Sequence, residues 1–297
     1  VYVGDVDSVK SVEGKVKQAA ELTQAAELKQ AAELTQPKES IRHVEYVLPP
    51  PCQPTVFVAG TNALFPVRRI YCVGRNFAGH AREMGADPEK EPPFFFTKPA
   101  GAVVPLWSNR SSCANSSEHS NSSSSSLSDD HNGIDVNHPP STNNLQHEVE
   151  MVVAIGLDGA DIPLEKAREH IFGYAVGLDM TRRDIQIKLR EQSRPWDMAK
   201  AFDQSAPIGI IYPVAQVGHL ERGAIWLKVN GTERQHSDLA QMIWSVPEII
   251  ANLSKYVRLC AGDLIYTGTP EGVSKVVRGD TLQCGVEGLG ELLVTIV

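Results

Sequence analysis

The chain of 297 residues has no Cys-x-x-Cys pair, and its five cysteines (Cys52, Cys72, Cys113, Cys260 and Cys284) are scattered and odd in number. That spacing argues against a thiolate zinc site and a disulfide scaffold. A reducing compartment, cytoplasmic or mitochondrial rather than secreted, is the expectation. Positive charge is scarce as well: 28 Lys and Arg face 36 Asp and Glu, a formal net charge of −8. Phosphate backbones are bound by clustered Lys and Arg, so no nucleic-acid partner is expected. A small anionic substrate needs only local positive charge and stays open. No apolar run approaches the length of a membrane span, so no membrane partner is expected either. The chain begins at Val1 rather than Met, which leaves a targeting signal open.

What is present divides unevenly. Residues 18–35 repeat a hexad, QAAELT, QAAELK, QAAELT. Its residues favour helix, but a period of six turns each successive leucine by roughly 120°. Leu22, Leu28 and Leu34 therefore build no stripe, and residues 1–40 read as a low-complexity helical or disordered tail. The stretch from about Trp107 to Asn144 is rich in Ser and Asn. It cannot bury enough apolar surface to offset its ordering entropy, so it reads as a disordered surface insertion. The remainder of 41–297 reads as one catalytic domain.

Within that domain short strands and helices alternate irregularly. Strands are expected at Ile70–Gly74, Phe94–Val104, Glu148–Ile155, Phe172–Met180 and Leu264–Thr267, with two more at the C-terminus. Asn230-Gly231 marks a hairpin between Ile225–Val229 and Thr232–Gln235. Helices are expected over Asn76–Met84, Arg182–Glu191 and from Pro247 to Tyr256. Late strands with many Gly turns suggest an α+β, β-rich fold, a mixed β-roll or barrel with peripheral helices, rather than regular βαβ alternation.

Several residues could carry chemistry. In a strand, Glu148 and Glu150 point the same way. Either that is a solvent-facing edge, or the two carboxylates share a divalent cation, which removes their repulsion. Asp179 ends an apolar strand and opens into whatever crevice caps the sheet. Three carboxylates make a hard, all-oxygen site suited to Mg²⁺, Mn²⁺ or Ca²⁺. Arg183 and Gln186 share a helix face, and an arginine there could pair with a substrate carboxylate or lie on the surface. His80 and Glu83 are also three apart, as a carboxylate-oriented base or as a surface pair. Lys98 and Lys200 lie among bulky apolar residues, where each read alone is a snorkelling surface side chain. Thr269 sits in a strand-to-turn segment, Tyr266–Gly272, able to present hydroxyls to an anion.

Taken together, YCVGRNFAGHAREMG, FFFTKPAGAVVP, HEVEMVVAIG, GYAVGLDMTRRDIQ, PWDMAKAFDQSAP, IWLKVNG, SDLAQMIWSVPEII and GDLIYTGTPEGV resemble the fumarylacetoacetate hydrolase family, in that family's order, over about residues 55–297. The resemblance implies Glu148, Glu150 and Asp179 as ligands of Mg²⁺ or Mn²⁺, and His80 and Glu83 as the dyad that activates water. It implies Arg183, Gln186, Lys200 and Thr269 as contacts to substrate or transition state, with Arg75 and Lys98 supporting the site. It further implies a homodimer and the hydrolysis of a carbon–carbon bond in a 2,4-dioxo acid. Alternatives within the family are a simpler acylpyruvase, an oxaloacetate decarboxylase and a dioxo-acid isomerase; outside it stands a non-catalytic metal-binding protein. Two features depart from the family: Gln146-His147 stands where His-His often precedes the Glu pair, and neither the insertion nor the hexad tail is a family feature.

Overall fold

The computed structural model describes residues 46–85, 92–106 and 133–297. The hexad tail and most of the Ser-rich insertion lie outside them. The chain divides into Val1–Pro51, of which only residues 46–51 are described, all exposed, and Cys52–Val297. Cys52 is disulfide-bonded, while Cys72, Cys260 and Cys284 are free; one bridge does not make a scaffold.

The first strands are β1 (Thr55–Phe57), β2 (Leu64–Pro66), β3 (Arg69–Gly74), β4 (Phe94–Lys98), β5 (Val103–Pro105) and β6 (Ile134–Val136). Then come β7 (Leu145–Gln146), β8 (Val149–Ile155), β9 (Ile171–Leu178), β10 (Thr181–Arg182), β11 (Ala206–Ile208) and β12 (Tyr212–Pro213). The last are β13 (Ala224–Val229), β14 (Thr232–Asp238), β15 (Asp263–Tyr266), β16 (Lys275–Val276), β17 (Thr281–Val286) and β18 (Glu291–Ile296). The α-helices are α1 (Ala78–Glu83), α2 (Arg183–Glu191), α3 (Asp197–Lys200), α4 (Val214–Val217) and α5 (Val246–Leu253).

The main sheet runs β4-β3-β15-β8-β9-β11-β5, with β12 added on β9, and mixes parallel and antiparallel pairs. Its outermost strands, β4 and β5, are separated in sequence only by Pro99–Ala102. That connection reaches at most about 19 Å between Cα atoms, whereas a flat seven-strand path is about 29 Å wide. The sheet must curl, which is the β-roll the sequence suggests. The expected single strand Phe94–Val104 is therefore two strands on opposite edges. Pro99 supplies no N–H and disfavours continuation, and a 3-10 turn over Ala100–Ala102 follows it.

Each face of the curled sheet has its own core. On the outer face Val149, Met151, Val153 and Ile155 pack with Tyr174, Val176 and Leu178 against the second sheet, β14-β13-β17-β18-β6. On the inner face Ile70, Cys72, Val152, Ala154, Ala175, Leu264 and Tyr266 form another cluster. Coverage on both sides explains why β8, VEMVVAI, is buried at every position and reads as a nearly continuous apolar run.

Residues 133–144 correct the expected extent of the insertion. β6 pairs in parallel with β18, and Ile134 and Val136 are buried. The alternation Ile-Asp-Val is a strand signal that the neighbouring Ser-rich composition obscures.

Candidate active site

Strand register creates the site. β8 and β9 pair with Glu150 opposite Gly177 and Val149 opposite Leu178. One step further, the Asp179 N–H donates to the Glu148 carbonyl oxygen at 2.9 Å. Glu148 and Glu150 share the parity of Val152 and Ala154, and Asp179 that of Ala175, so all three carboxylates emerge at one end of the inner face. They are buried, and each offers an oxygen within 4.8 Å of the others. Gly177 keeps the pairing tight: a Cβ there would lie 2.7 Å from Val152 Cγ2 and 2.8 Å from Tyr266 Cε1.

Three cations close around them. Lys98, on the last residue of β4, and Lys200, on the last of α3, are each only 2% exposed. Neither snorkels, contrary to the reading of each residue alone. Lys200 Nζ donates to Glu148 Oε2 at 2.8 Å and to Asp179 Oδ2 at 2.7 Å. Lys98 Nζ donates to the Met180 carbonyl at 3.2 Å and also to that of Lys200. Arg183, in the first turn of α2, is buried rather than superficial. Its guanidinium bonds Glu148, Gln186 and, at 2.7 Å, Gln146 Oε1. Gln146, two residues before Glu148, thus holds the arginine in place.

The electrostatics are uneven across the carboxylates. Burial opposes charge on Glu148, yet Lys200 and Arg183 outweigh it and hold the carboxyl well below the usual carboxylate range. Burial pulls Lys200 down, but Asp179 and Glu148 overcome it and raise the ammonium. Glu150 is the opposite case. Burial pushes it well above the carboxylate range, and Asp179 and Glu148 push it further. Its Oε2 accepts the Gly268 N–H at 2.7 Å, but no Lys or Arg among the described residues forms an ion pair with it. Asp179 Oδ1 lies 2.8 Å from Lys98 Nζ without the alignment of a hydrogen bond. The unmet demand for positive charge is at Glu150, Asp179 Oδ1 is left without a hydrogen bond, and the donors are hard oxygens, so the residues fit a divalent cation.

The dyad lies across the cleft. α1 is shorter than expected because Asn76 does not join it. Instead its amide donates to the carbonyls of Thr267 (2.7 Å) and Trp244 (2.9 Å) and accepts from the Trp244 N–H. This anchors the start of α1, and His80 is buried on that helix with Nδ1 3.1 Å from Glu83 Oε2. The bond to His80 lowers the Glu83 carboxyl against its partial burial. His80, Glu148, Glu150, Arg183, Gln186, Lys200, Thr269 and Arg75 all border one cleft, so the sequence-derived residues converge. Lys98, Asp179 and Glu83 do not line it: Lys98 and Asp179 pair with one another beside Glu148, and Glu83 reaches it through His80. Arg75 has a positive φ of 56° and stacks over Phe94 at 5.4 Å.

Sequence reasoning missed other parts of the site. Phe94, Phe96 and Trp196 wall the cleft, with Trp196 edge-on to both phenylalanines. Gln235 is fully buried and hydrogen-bonded to Thr269 and His147. Nothing in ERQHSD separates that glutamine from its exposed neighbours. Burial pulls the His147 imidazole down to about 4, against the bond from Gln235 that favours its charge.

The pattern of the family described as fumarylacetoacetate (FAA) hydrolase C-terminal matches residues 69–297. The chain belongs to this family. Among its relatives, a fumarylpyruvate hydrolase of a Ralstonia species is 48% identical over 164 residues, 55% of this chain and 85% of that one. A mitochondrial oxaloacetate tautomerase of Homo sapiens is 36% identical over 222 residues, 75% of this chain and 88% of the relative. The crystal structure of a fumarylpyruvate hydrolase from Pseudomonas aeruginosa, in complex with Mn²⁺ and pyruvate, is similar at a TM-score of 0.76. It is 49% identical, covering 85% of this chain and 99% of that one. Membership of the fumarylacetoacetate hydrolase family agrees with the β-rich roll.

Proposed function

We propose that this chain is a divalent-metal-dependent hydrolase that cleaves the C3–C4 bond of a 2,4-dioxo acid, with fumarylpyruvate as substrate and fumarate and pyruvate as products. The observation that carries the reading is the meeting of Glu148, Glu150 and Asp179 within 4.8 Å, at a cleft lined by Glu148, Glu150 and the His80 that Glu83 holds. The similarity to fumarylpyruvate hydrolases supports the substrate. Glu148, Glu150 and Asp179 would hold Mg²⁺ or Mn²⁺, which would supply Lewis acidity for the enolate chemistry.

The chain's own residues do the rest. Glu83 holds His80 Nδ1, so Nε2 is the nitrogen free to take a proton from water as its oxygen bonds to C4. Lys200, kept charged by its carboxylate neighbours, stabilises the oxyanion that forms at C4. The C3–C4 bond then breaks, its electron pair passes into the enolate of pyruvate, and the proton on His80 is available to return to C3. Arg183, braced by Gln146 and Gln186, orients the substrate carboxylate, and the walls of Phe94, Phe96 and Trp196 keep bulk water away. Arg75 and Thr269 supply further polar contacts, and Lys98 supports Asp179 from behind.

A second reading, oxaloacetate decarboxylation or tautomerisation, is favoured by the similarity to the oxaloacetate tautomerases. Both readings make an enolate, and they differ in whether water attacks. The test is pyruvate release with Mg²⁺ or Mn²⁺ from fumarylpyruvate, acetylpyruvate and oxaloacetate. Fumarylpyruvate should be turned over with the highest kcat/KM, and chelation should abolish it. A preference for oxaloacetate would transfer the assignment to the second reading. A homodimer is part of the proposal, and light scattering that gives the mass of one 32.4 kDa chain at micromolar concentration would remove it.

A further inference from the structure

The hydrogen bonds around Gln235 have a direction that can be read without ambiguity. Gln235 Oε1 accepts the Val149 backbone N–H at 3.1 Å, and a backbone N–H only donates. Gln235 Nε2 donates to the Pro270 carbonyl at 2.8 Å, and a carbonyl only accepts. The two bonds fix which end of the amide is which. Two consequences follow. His147 Nδ1, 2.9 Å from Gln235 Oε1, must carry the ring proton. His147 Nε2 is then an acceptor, and the Ser274 hydroxyl at 2.8 Å must donate to it. On the other side, Thr269 Oγ1, 2.8 Å from Gln235 Nε2, must accept. Its hydroxyl proton is left over, and Thr269 lines the cleft with Glu148 and Glu150.

We infer that Ser274, His147, Gln235 and Thr269 form a one-way hydrogen-bond chain that aims the Thr269 hydroxyl proton at an anionic oxygen of the substrate, with Gln235 as the positioning residue. All four donors point the same way, so each bond polarises the next. A free threonine hydroxyl could offer either a lone pair or a proton to the cleft. This one already has a lone pair engaged by Gln235 Nε2 and its proton uncommitted, which favours an oxyanion or carboxylate over a donor. The inference rests on the proposed reading for the identity of the substrate, but the direction of the chain does not.

Two measurements test it. Histidine ¹⁵N NMR on the full chain reads the tautomer of His147 without any substrate. The expected result is protonated Nδ1 and bare Nε2, lost or mixed in Gln235→Met. A proton on Nε2 in the wild type reverses the chain and overturns the inference. Kinetics with fumarylpyruvate in Mn²⁺-loaded protein form the second arm. Thr269→Val should lose about 10- to 100-fold in kcat/KM, the size of one hydrogen bond to a charged group, while Thr269→Ser keeps most of it. In the Gln235→Met background the step from Thr269 to Val should cost far less, because the donor is no longer aimed. Losses that simply multiply would make Gln235 a structural residue only, and the positioning role would fall. Should the wild type turn over none of fumarylpyruvate, acetylpyruvate and oxaloacetate, the proposed function fails, and the NMR arm still decides the chain's direction.

Discussion

Glu150 is buried among like charges, with one N–H on Oε2 and no Lys or Arg bridged to it among the described residues. A carboxylate so placed either takes up a proton or is met by an ion from outside the chain. Mn²⁺ should therefore raise the melting temperature of the wild type, since a ligand that binds only the folded state stabilises it. Glu150→Gln removes the charge that needs the ion. Its metal-free form should melt no lower than the wild type, and Mn²⁺ should no longer shift it. A Glu150→Gln protein with an undiminished Mn²⁺ shift would take Glu150 out of the ligand set. His80 is tested differently, because it sits in the cleft without being a proposed ligand. His80→Ala should lose roughly 10²–10⁴-fold of hydrolysis, the usual share of a general base, with the Mn²⁺ shift intact. Any oxaloacetate decarboxylation, which needs no attacking water, should fall less. Equal loss of both activities would mean that His80 shapes the site rather than activates water.

At the scale of the element, the pairing of β8 with β9 sets where the carboxylates meet, and Gly177, opposite Glu150, is a close approach within it. Gly177→Ala pushes a methyl against Val152 and Tyr266, an overpacking that costs about 1–3 kcal/mol. It should also weaken Mn²⁺ binding, because Glu150 stands opposite. Gly209→Ala is the control: its nearest neighbour would be the Val176 carbonyl at 3.5 Å, so its denaturation midpoint should stay close to the wild type. Two equal midpoints would show that the pairing has slack. The same pairing explains what the sequence could reveal. Alternation put Glu148 and Glu150 on one face, and an acid closing an apolar strand singled out Asp179, because both are local rules. The pairing of β8 with β9 is not local, so that these carboxylates are neighbours came from family resemblance. Lys98 and Lys200 misled for the same reason. A lysine among aromatics usually snorkels, and only the folded arrangement brings Asp179 and Glu148 close enough to keep either one inside. Gln235 had no local signature at all, since its partners, His147 and Val149 and then Thr269 and Pro270, come from two distant segments.

At the scale of the whole molecule, the long connection between β5 and β7 is not one kind of chain. Residues 107–132 are outside the described structure, and their composition offers almost nothing to a core. From Gly133 onward the connection belongs to the fold. Ile134 and Val136 are buried beside β18, and the His138 N–H donates to the Val297 carbonyl at 2.8 Å. Further on, the Asn143 N–H donates to Asp184 at 2.9 Å, and the Asn144 carbonyl accepts from the Arg183 N–H at 2.9 Å. This segment thus holds the first turn of α2, which carries Arg183 into the site. Two deletions separate the parts. Removing residues 108–131 behind a short linker should leave folding, Mn²⁺ binding and activity close to the wild type, because loop length contributes only weakly to closure entropy. Removing 108–140 takes β6 as well. An isoleucine lost from a packed core alone costs about 2–5 kcal/mol, against a total stability of about 5–15 kcal/mol for a typical domain. The longer deletion should therefore unfold at much lower denaturant, and any protein that still folds should bind substrate poorly through a displaced Arg183. Equal tolerance of both deletions would mean that β6 only decorates the edge of the second sheet. Equal failure would mean that the Ser-rich residues themselves pack, and their composition would then be a poor guide to their role.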